Sequence, residues 1–547
     1  MPKHEDRLEK LQSIPNPQTL IVGGGINGAG LFRELSLRGV SVTLIDKSDY
    51  AAGASCATSR MVHGGLRYLE NGEFDLVSES LAERNRLLAN APHAVFPMPT
   101  NIPIYTRWSG LFNSAASFFR LKAKPAQRGS LIIKIGLSFY DFLTRKRSPM
   151  PPHDFRSREK ALKRFPSLNP KIISSSRYYD AWVPNPERLC LELIKDGVAA
   201  SPNAQALNYV SLSGIRDGQL ILTDELTENK ISIRPQILVN ATGAWIDLTN
   251  QSLNRKTEHI GGTKGSHLIL EAPKLRAELG DEMFFYETAD NRICILIPYS
   301  RTQLLLGTTD IRIDNPEEAV CSQEEINYLL TAANDLFPKA NLREEQIVAT
   351  FSGVRPLPKS DGTHAGRISR SQSSPVHQAT TNIPFETYNL VGGKWTTFRS
   401  FSEQVCDSIL AKLALPRISP TTDIPIGGGR DFHSITPKSI AAQTEIPILR
   451  AQALHSRYGS AALEFAKREN ADTPELIPGY TSPEIEYIIE SEQVQHLLDL
   501  ILRRTRIAFS GKLTRATLSR IALLHPKFPT QTTETIDYLN AKHHLKI

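Results

Sequence analysis

The 547-residue sequence predicts an α/β fold: a first domain on a parallel sheet, interleaved with a second on an antiparallel sheet, followed by an all-helical C-terminal domain. Three observations predict it. Thr19–Asp46 reads strand, glycine turn, helix, strand, a crossover unit whose two strands must run parallel. Helical patterns and short strands then alternate up to about residue 415, with no linker long enough to cut the chain. After Pro416 the strand signals fade, and Ser439–Leu463, Pro483–Arg506 and Thr514–Leu524 carry helical amphipathic spacing. The expected division is a loose polar arm at 1–17, the interleaved pair at 18–415 and the helical domain at 416–547.

Composition excludes several classes. With 40% apolar residues and a net charge of +7, the chain can bury a core and is not globally disordered. Its longest apolar run, Leu131–Leu143, is broken by Lys134 and Asp141 and falls short of the ~20 residues of a spanning helix. Cys56, Cys190, Cys294, Cys321 and Cys406 are scattered, which argues against a disulfide scaffold, a zinc ribbon or a local iron–sulfur site. His153, His364 and His377 have no partners at ligand spacing, so no metal site is implied. The start lacks the apolar core of a secretory signal, and a reducing cytoplasm is the expected location.

In the crossover, Thr19–Val22 is an apolar strand that stops at three glycines. Ile26–Arg38 is rich in helix formers, Gly39 is a plausible stop, and Val40–Asp46 is a β-branched strand. Gly23-Gly24-Gly25-Ile26-Asn27-Gly28 matches the Rossmann-like G-x-G-x-x-G turn. Gly23 makes the tight turn, Gly25 lets a pyrophosphate approach the backbone, and Gly28 lets helix and sheet pack closely. Helix-start N–H groups at Ile26 and Asn27 face the phosphates. Asp46, 18 residues past Gly28, can accept from ribose hydroxyls, with Lys47 beside it. Two distant strand–glycine elements suit a longer, bent dinucleotide. One is Leu238–Trp245, carrying Gly243 and Trp245; the other is Tyr388–Thr397, carrying Gly393, Lys394 and Thr396. Together the three elements point to FAD rather than NAD.

The sequence resembles the FAD-dependent glycerol-3-phosphate dehydrogenase family, the respiratory, quinone-reducing kind, within the wider amino-acid-oxidase-like flavoproteins. The resemblance rests on GGGINGAG at 23–30, HGGLRYLE at 63–70, NATGAW at 240–245, KGSH at 264–267, GTTD at 307–310, SGVRPL at 352–357 and GGK at 392–394. It extends into the C-terminal domain through YGSAA at 458–462 and LRRTRIA at 502–508. It implies oxidation of sn-glycerol 3-phosphate at C2 to dihydroxyacetone phosphate, with hydride transfer to flavin N5 and electrons leaving to a membrane quinone. A same-fold alternative is an oxidase that passes electrons to O2 and makes hydrogen peroxide.

A phosphorylated polyol requires fixed cations, and Arg suits bidentate phosphate contacts. By resemblance, Arg67, Tyr68, Arg355 and Lys394 hold phosphate and hydroxyls. His267 is the preferred general base, and an Arg-stabilised alkoxide with water as proton acceptor stays open beside it. His63, with Gly64, Gly65 and Leu66, is expected against the flavin. Ser55, Ser59 and Arg60 are expected to line the pyrophosphate and flavin.

Arg107–Arg147 sets nine Lys or Arg against the single acid Asp141, interleaved with bulky apolar residues. That mixture suits anionic lipid at the inner face of the membrane as well as it suits a basic surface insertion. No motif supports nucleic-acid binding, and a homodimer is one oligomeric expectation.

Overall fold

The computed structural model describes residues 9, 11, 12, 16–65, 73–106, 134, 150–288, 290, 292–359, 372–417 and 420–547. Strand Thr19–Val22 enters the glycine turn, helix Ile26–Leu37 follows, and strand Val42–Asp46 returns parallel to the first, with Thr19 opposite Val42. The helix is buried on nearly every side because small residues let its neighbours close in. A Cβ on Gly30 would meet Ser402 and Phe398 of helix Phe398–Lys412, and one on Gly197 of helix Pro186–Ala200 would meet Phe32.

Parallel strands extend this unit on both sides. Ile237–Asn240 lies beside Thr19–Val22, and Glu386–Asn389 lies beyond it; Ala204–Asn208 flanks Val42–Asp46. Asn382–Ser402 therefore returns to the first domain. Among the described residues, the short edge strand Val376–His377 alone is antiparallel in this sheet. Because Val22, Asn240 and Asn389 stand in register, their three glycine-bearing turns emerge along one carboxyl edge of the sheet, together with Asp46.

The second domain is a ten-stranded sheet: eight strands run in sequence from Ile311–Arg312 to Met61–Val62, and Ile347–Arg355 and Asp154–Ser157 pair off that path. Its pairings are antiparallel, except that Met283–Glu287 lies parallel to Phe96–Ile104. One face is covered by helix Gln323–Leu336, and the C-terminal helices share a core with the other, joining Ile269, Tyr299 and Phe351 to Leu500, Phe509 and Leu539. A three-stranded antiparallel meander, Val210–Arg216 to Lys230–Ile233, packs with Leu20 and Leu207; Leu11 is buried in the same cluster.

The helical C-terminal domain differs in detail from the sequence pattern. The segment Ser439–Leu463 is interrupted between helices Pro437–Gln443 and Ile448–Tyr458, where Thr444 is extended and Pro447 caps the second. Pro447 has no N–H to donate, and its ring would clash with the carbonyl four residues back, at Gln443, so a helix cannot run through it. Ser482–Ser491 likewise stops before Leu497–Asp499, and a two-stranded hairpin, Glu475–Ile477 with Tyr480–Thr481, precedes it. The last helix, Phe528–His543, buries only Phe528, Thr535, Ile536 and Leu539, too sparse a stripe to show as a strong period.

Candidate active site

The site begins at the carboxyl edge of the parallel sheet. Gly23 has φ +110°, and a Cβ there would sit 2.6 Å from the Ala241 carbonyl oxygen. On Gly28 a Cβ would sit 1.8 Å from the Gly23 carbonyl oxygen, so the helix start packs on the turn with no room to spare. Gly25 is different: its Cβ would meet only Ser55 Oγ, at 3.1 Å, leaving the backbone open to an approaching group. The Ile26 N–H donates to that same Ser55 Oγ at 2.9 Å.

Asp46 is held ready at the strand end. Its Oδ2 accepts from the Gly24 N–H at 2.7 Å and its Oδ1 from the Ser48 N–H at 2.9 Å. Burial outweighs those bonds and pushes the carboxyl up to about 6. Ribose hydroxyls donating to it would favour the charged form and bring that value down. FAD affinity is therefore expected to be level above pH 6 and to fall by up to about tenfold per pH unit as pH drops through 6. Equilibrium flavin titration on both sides of that pH checks this, and a flat profile would remove Asp46 from the ribose.

The two remote glycine elements converge here. Asn27 Nδ2 donates to the Gly392 carbonyl at 3.2 Å, and a Cβ on Gly393 would strike that amide. Asn27 Oδ1 is buried without a hydrogen bond among the described residues. Trp395 Nε1 donates to the Ser55 carbonyl at 3.1 Å. Thr396 Oγ1 accepts from the His63 N–H at 3.2 Å and donates to its carbonyl at 3.3 Å, and the Gly64 N–H reaches Asp180. Gly65 follows with φ +82°. Gly243 has φ +61° with open space where a Cβ would stand. Trp245 Nε1 donates to Glu317, which also pairs with Lys47. A glycine cradle open at Gly25, a buried acceptor lacking a donor at Asn27 and a carboxylate at the second strand's end fit FAD.

The residues expected to accept a proton and bind an anion come from the second sheet. His267 is flanked in register by Gly307 and Phe351 and stacks on the Phe351 ring at 4.8 Å. A Cβ on Gly307 would lie 2.1 Å from the imidazole, so only glycine leaves the ring its place. Its Nε2 is 3.0 Å from Ser59 Oγ. Burial first, then the Arg355 and Arg60 charges, lower its pKa to about 3, so the ring is neutral near pH 7.

Arg355, at the end of strand Ile347–Arg355, donates to Asp310 at 3.1 Å, Thr308 Oγ1 at 3.0 Å and the Thr309 carbonyl at 3.1 Å. Lys394 is buried at the start of the turn Trp395–Thr397. Leu66, Arg67 and Tyr68 lie outside the described residues, as does the basic segment 107–147 apart from Lys134.

Arg60 takes another direction. From a left-handed backbone (φ +56°) its guanidinium donates to the Pro184 carbonyl and to Glu187 at 3.2 Å, lying 5.5 Å from the Tyr299 ring. Sequence reasoning also missed Asp310, Thr308 and Asp180. The first two stood in the quoted GTTD string and could have been found there; Asp180 sits in an ordinary strand, Ser174–Trp182, with no local signal.

Three comparisons bear on this geometry. Residues 18–382 match the model described as "FAD dependent oxidoreductase", and residues 419–527 match "C-terminal domain of alpha-glycerophosphate oxidase". Among curated relatives, the glycerol-3-phosphate dehydrogenase of Synechocystis is 32% identical over 89% of this chain and 88% of its own. The D-erythritol 1-phosphate dehydrogenase of Brucella abortus is 30% identical over 90% and 95%. Among solved structures, the glycerol-3-phosphate dehydrogenase from Bacillus halodurans complexed with FAD superposes with a TM-score of 0.73, covering 99% of this chain and 97% of its own at 21% identity, a likeness of fold.

Proposed function

The chain belongs to the FAD-dependent oxidoreductase family, and on that premise we propose that it oxidises sn-glycerol 3-phosphate at C2 to dihydroxyacetone phosphate and passes the electrons to a membrane quinone. The observation that carries this reading is the pairing of a polar-held Arg355 with a neutral, buried His267 across adjacent strands. A phosphorylated secondary alcohol needs both: a cation for the ester and a proton acceptor at the carbon oxidised. The names of the relatives and the description of the C-terminal match support the same substrate class.

When bound, FAD supplies the hydride acceptor. Arg355 grips the phosphate, using the planar fork that Thr308, Thr309 and Asp310 already orient. Lys394 adds a second cation. His267 takes the hydroxyl proton at Nε2, the edge on which Ser59 Oγ now sits. A phosphate on Arg355 cancels one of the charges that hold the imidazole's pKa down, so substrate binding strengthens the base as it is needed. Gly265→Ala is a clean check on Arg355. Its Cβ would stand 2.2 Å from Nη2, displacing only the end of a flexible side chain. Steady-state kinetics should show kcat/KM reduced about tenfold or more with an unchanged Tm; unaltered kinetics would count against the placement of Arg355.

Anaerobic addition of glycerol 3-phosphate to the yellow holoprotein tests the function directly. Bleaching of the flavin band is expected, and its absence sinks the reading; erythritol 1-phosphate run alongside separates the two polyol esters. The description of the C-terminal match also favours a second reading, an oxidase that makes hydrogen peroxide. Oxygen uptake compared with reduction of a quinone analogue decides between them. With a membrane quinone as acceptor, the location we propose is peripheral, at the cytoplasmic face of the membrane. No helix among the described residues is long and apolar enough to cross a bilayer. Flotation with anionic vesicles tests the association.

A further inference from the structure

The LRRTRIA string at 502–508 has no part in the chemistry above, yet it is the point at which the C-terminal domain reaches the cofactor edge. Arg503 and Arg504 both grip Asp49, three residues past Asp46. Arg503 Nε donates to Oδ2 at 2.6 Å, while Arg504 donates through Nη1 to Oδ2 and through Nη2 to Oδ1, each at 2.7 Å. Consecutive residues on an α-helix diverge by about 100°; here Leu500–Arg504 is a wider π-turn, which brings both guanidinium groups to one carboxylate. Asp49 is fully buried and holds its charge, since the two arginines outweigh its desolvation.

The neighbouring contacts follow the same line. Tyr50, whose ring would meet a Cβ on Gly24 at 2.6 Å, donates its hydroxyl to Gln493 at 2.9 Å. Asn208 Nδ2 donates both to Asp49 Oδ1 and to the Gln493 carbonyl, and Tyr209 donates to Asp499 at 2.6 Å. The Ala51 N–H closes the loop by donating to the Gly24 carbonyl. Residues 46–51 are thus fastened to the glycine turn on one side and to Gln493–Arg504 on the other.

We propose that Arg503 and Arg504 are positioning residues for FAD: by clamping Asp49 they set the turn that carries Asp46 and supports Gly24, so that cofactor binding and docking of the C-terminal domain are thermodynamically coupled. This inference rests on the FAD site alone and is independent of the substrate. Coupling is reciprocal, which yields a test on the unmodified protein. Adding FAD to the deflavinated protein should slow hydrogen exchange in Glu492–Arg504 while leaving helix Arg515–Ala522 unchanged. Equal exchange with and without FAD in the first segment overturns the proposal, and so does an equal slowing in both.

Variants give the second arm. Arg504→Ala should weaken FAD binding about 5- to 150-fold, the usual range of coupling between sites. Arg450→Ala removes a comparable ion network, with Glu469 and Glu484, that lies wholly inside the C-terminal domain. It should lower Tm while keeping wild-type FAD affinity. If both variants lose FAD equally, or Arg504→Ala keeps it, the clamp is merely structural. Should Arg504→Ala fail to fold, the exchange measurement decides.

Discussion

Gly25→Val is expected to give a folded protein that retains no FAD. Among the described residues the one atom near the new Cβ is Ser55 Oγ at 3.1 Å, a side chain that can shift, and Gly25 itself has an ordinary backbone with φ −73°. The fold is therefore expected to accept the new Cβ, whereas a pyrophosphate lying against this backbone would not. A blocked approach of this kind costs about 3 kcal/mol, the upper end for added bulk in a tight site, about 100-fold in Kd. Flavin absorbance of the purified protein, read beside its Tm, checks both halves. Gly28→Val is the contrast. Its Cβ would lie 1.8 Å from the Gly23 carbonyl oxygen, and backbone cannot step aside as a hydroxyl can, so loss of Tm should accompany loss of flavin. Normal flavin content in Gly25→Val would mean that the dinucleotide does not run along this turn.

Arg355→Ala is expected to lower kcat/KM for glycerol 3-phosphate by about 2–4 kcal/mol, about 30- to 1,000-fold. Two losses combine. The bidentate cation for the phosphate disappears, and Asp310, its partner at 3.1 Å, is left as a bare negative charge where an anion must bind. Arg355→Lys should recover little, because an ammonium cannot reach Thr308, the Thr309 carbonyl and a phosphate in one plane. Pairing Arg355→Ala with Asp310→Asn separates the terms: the double variant should regain part of the loss in KM if repulsion by Asp310 contributes. Flavin content should stay normal throughout. Wild-type kinetics in Arg355→Ala would take this residue out of the site.

Much of the cofactor edge was legible because its signals are local. A β-branched strand, three glycines and a helix with small residues at Gly28 and Gly30 can be built in few ways, and the parallel pairing of Thr19–Val22 with Val42–Asp46 follows from the crossover. The same logic reached Asn240–Gly243 and Asn389–Gly393, since each is a strand that ends in a turn with glycine at positive φ. Arg60 shows where the reasoning stops. Its neighbours Ser55 and Ser59 do face the glycine turn and His267, but a left-handed backbone at Arg60 itself turns its guanidinium to Glu187, and nothing in the adjacent sequence announces that turn. The interrupted Ser439–Leu463 helix shows a smaller loss: the apolar period runs straight through Pro447, at which the second helix starts afresh.

By itself, then, the sequence determined the glycine turn, the acidic end of the second strand, and the residue types available to bind an anion and accept a proton. Those follow from backbone sterics and periodicity, which act over a few residues. Only the tertiary structure decided which charges are spent on one another. Arg504 meets Asp49 from 455 residues away, Arg399 meets Glu83 from 316, and Arg355 meets Asp310 from 45. A charge carries no local record of its partner, and desolvation forces buried ones to find a counter-ion wherever the fold brings it.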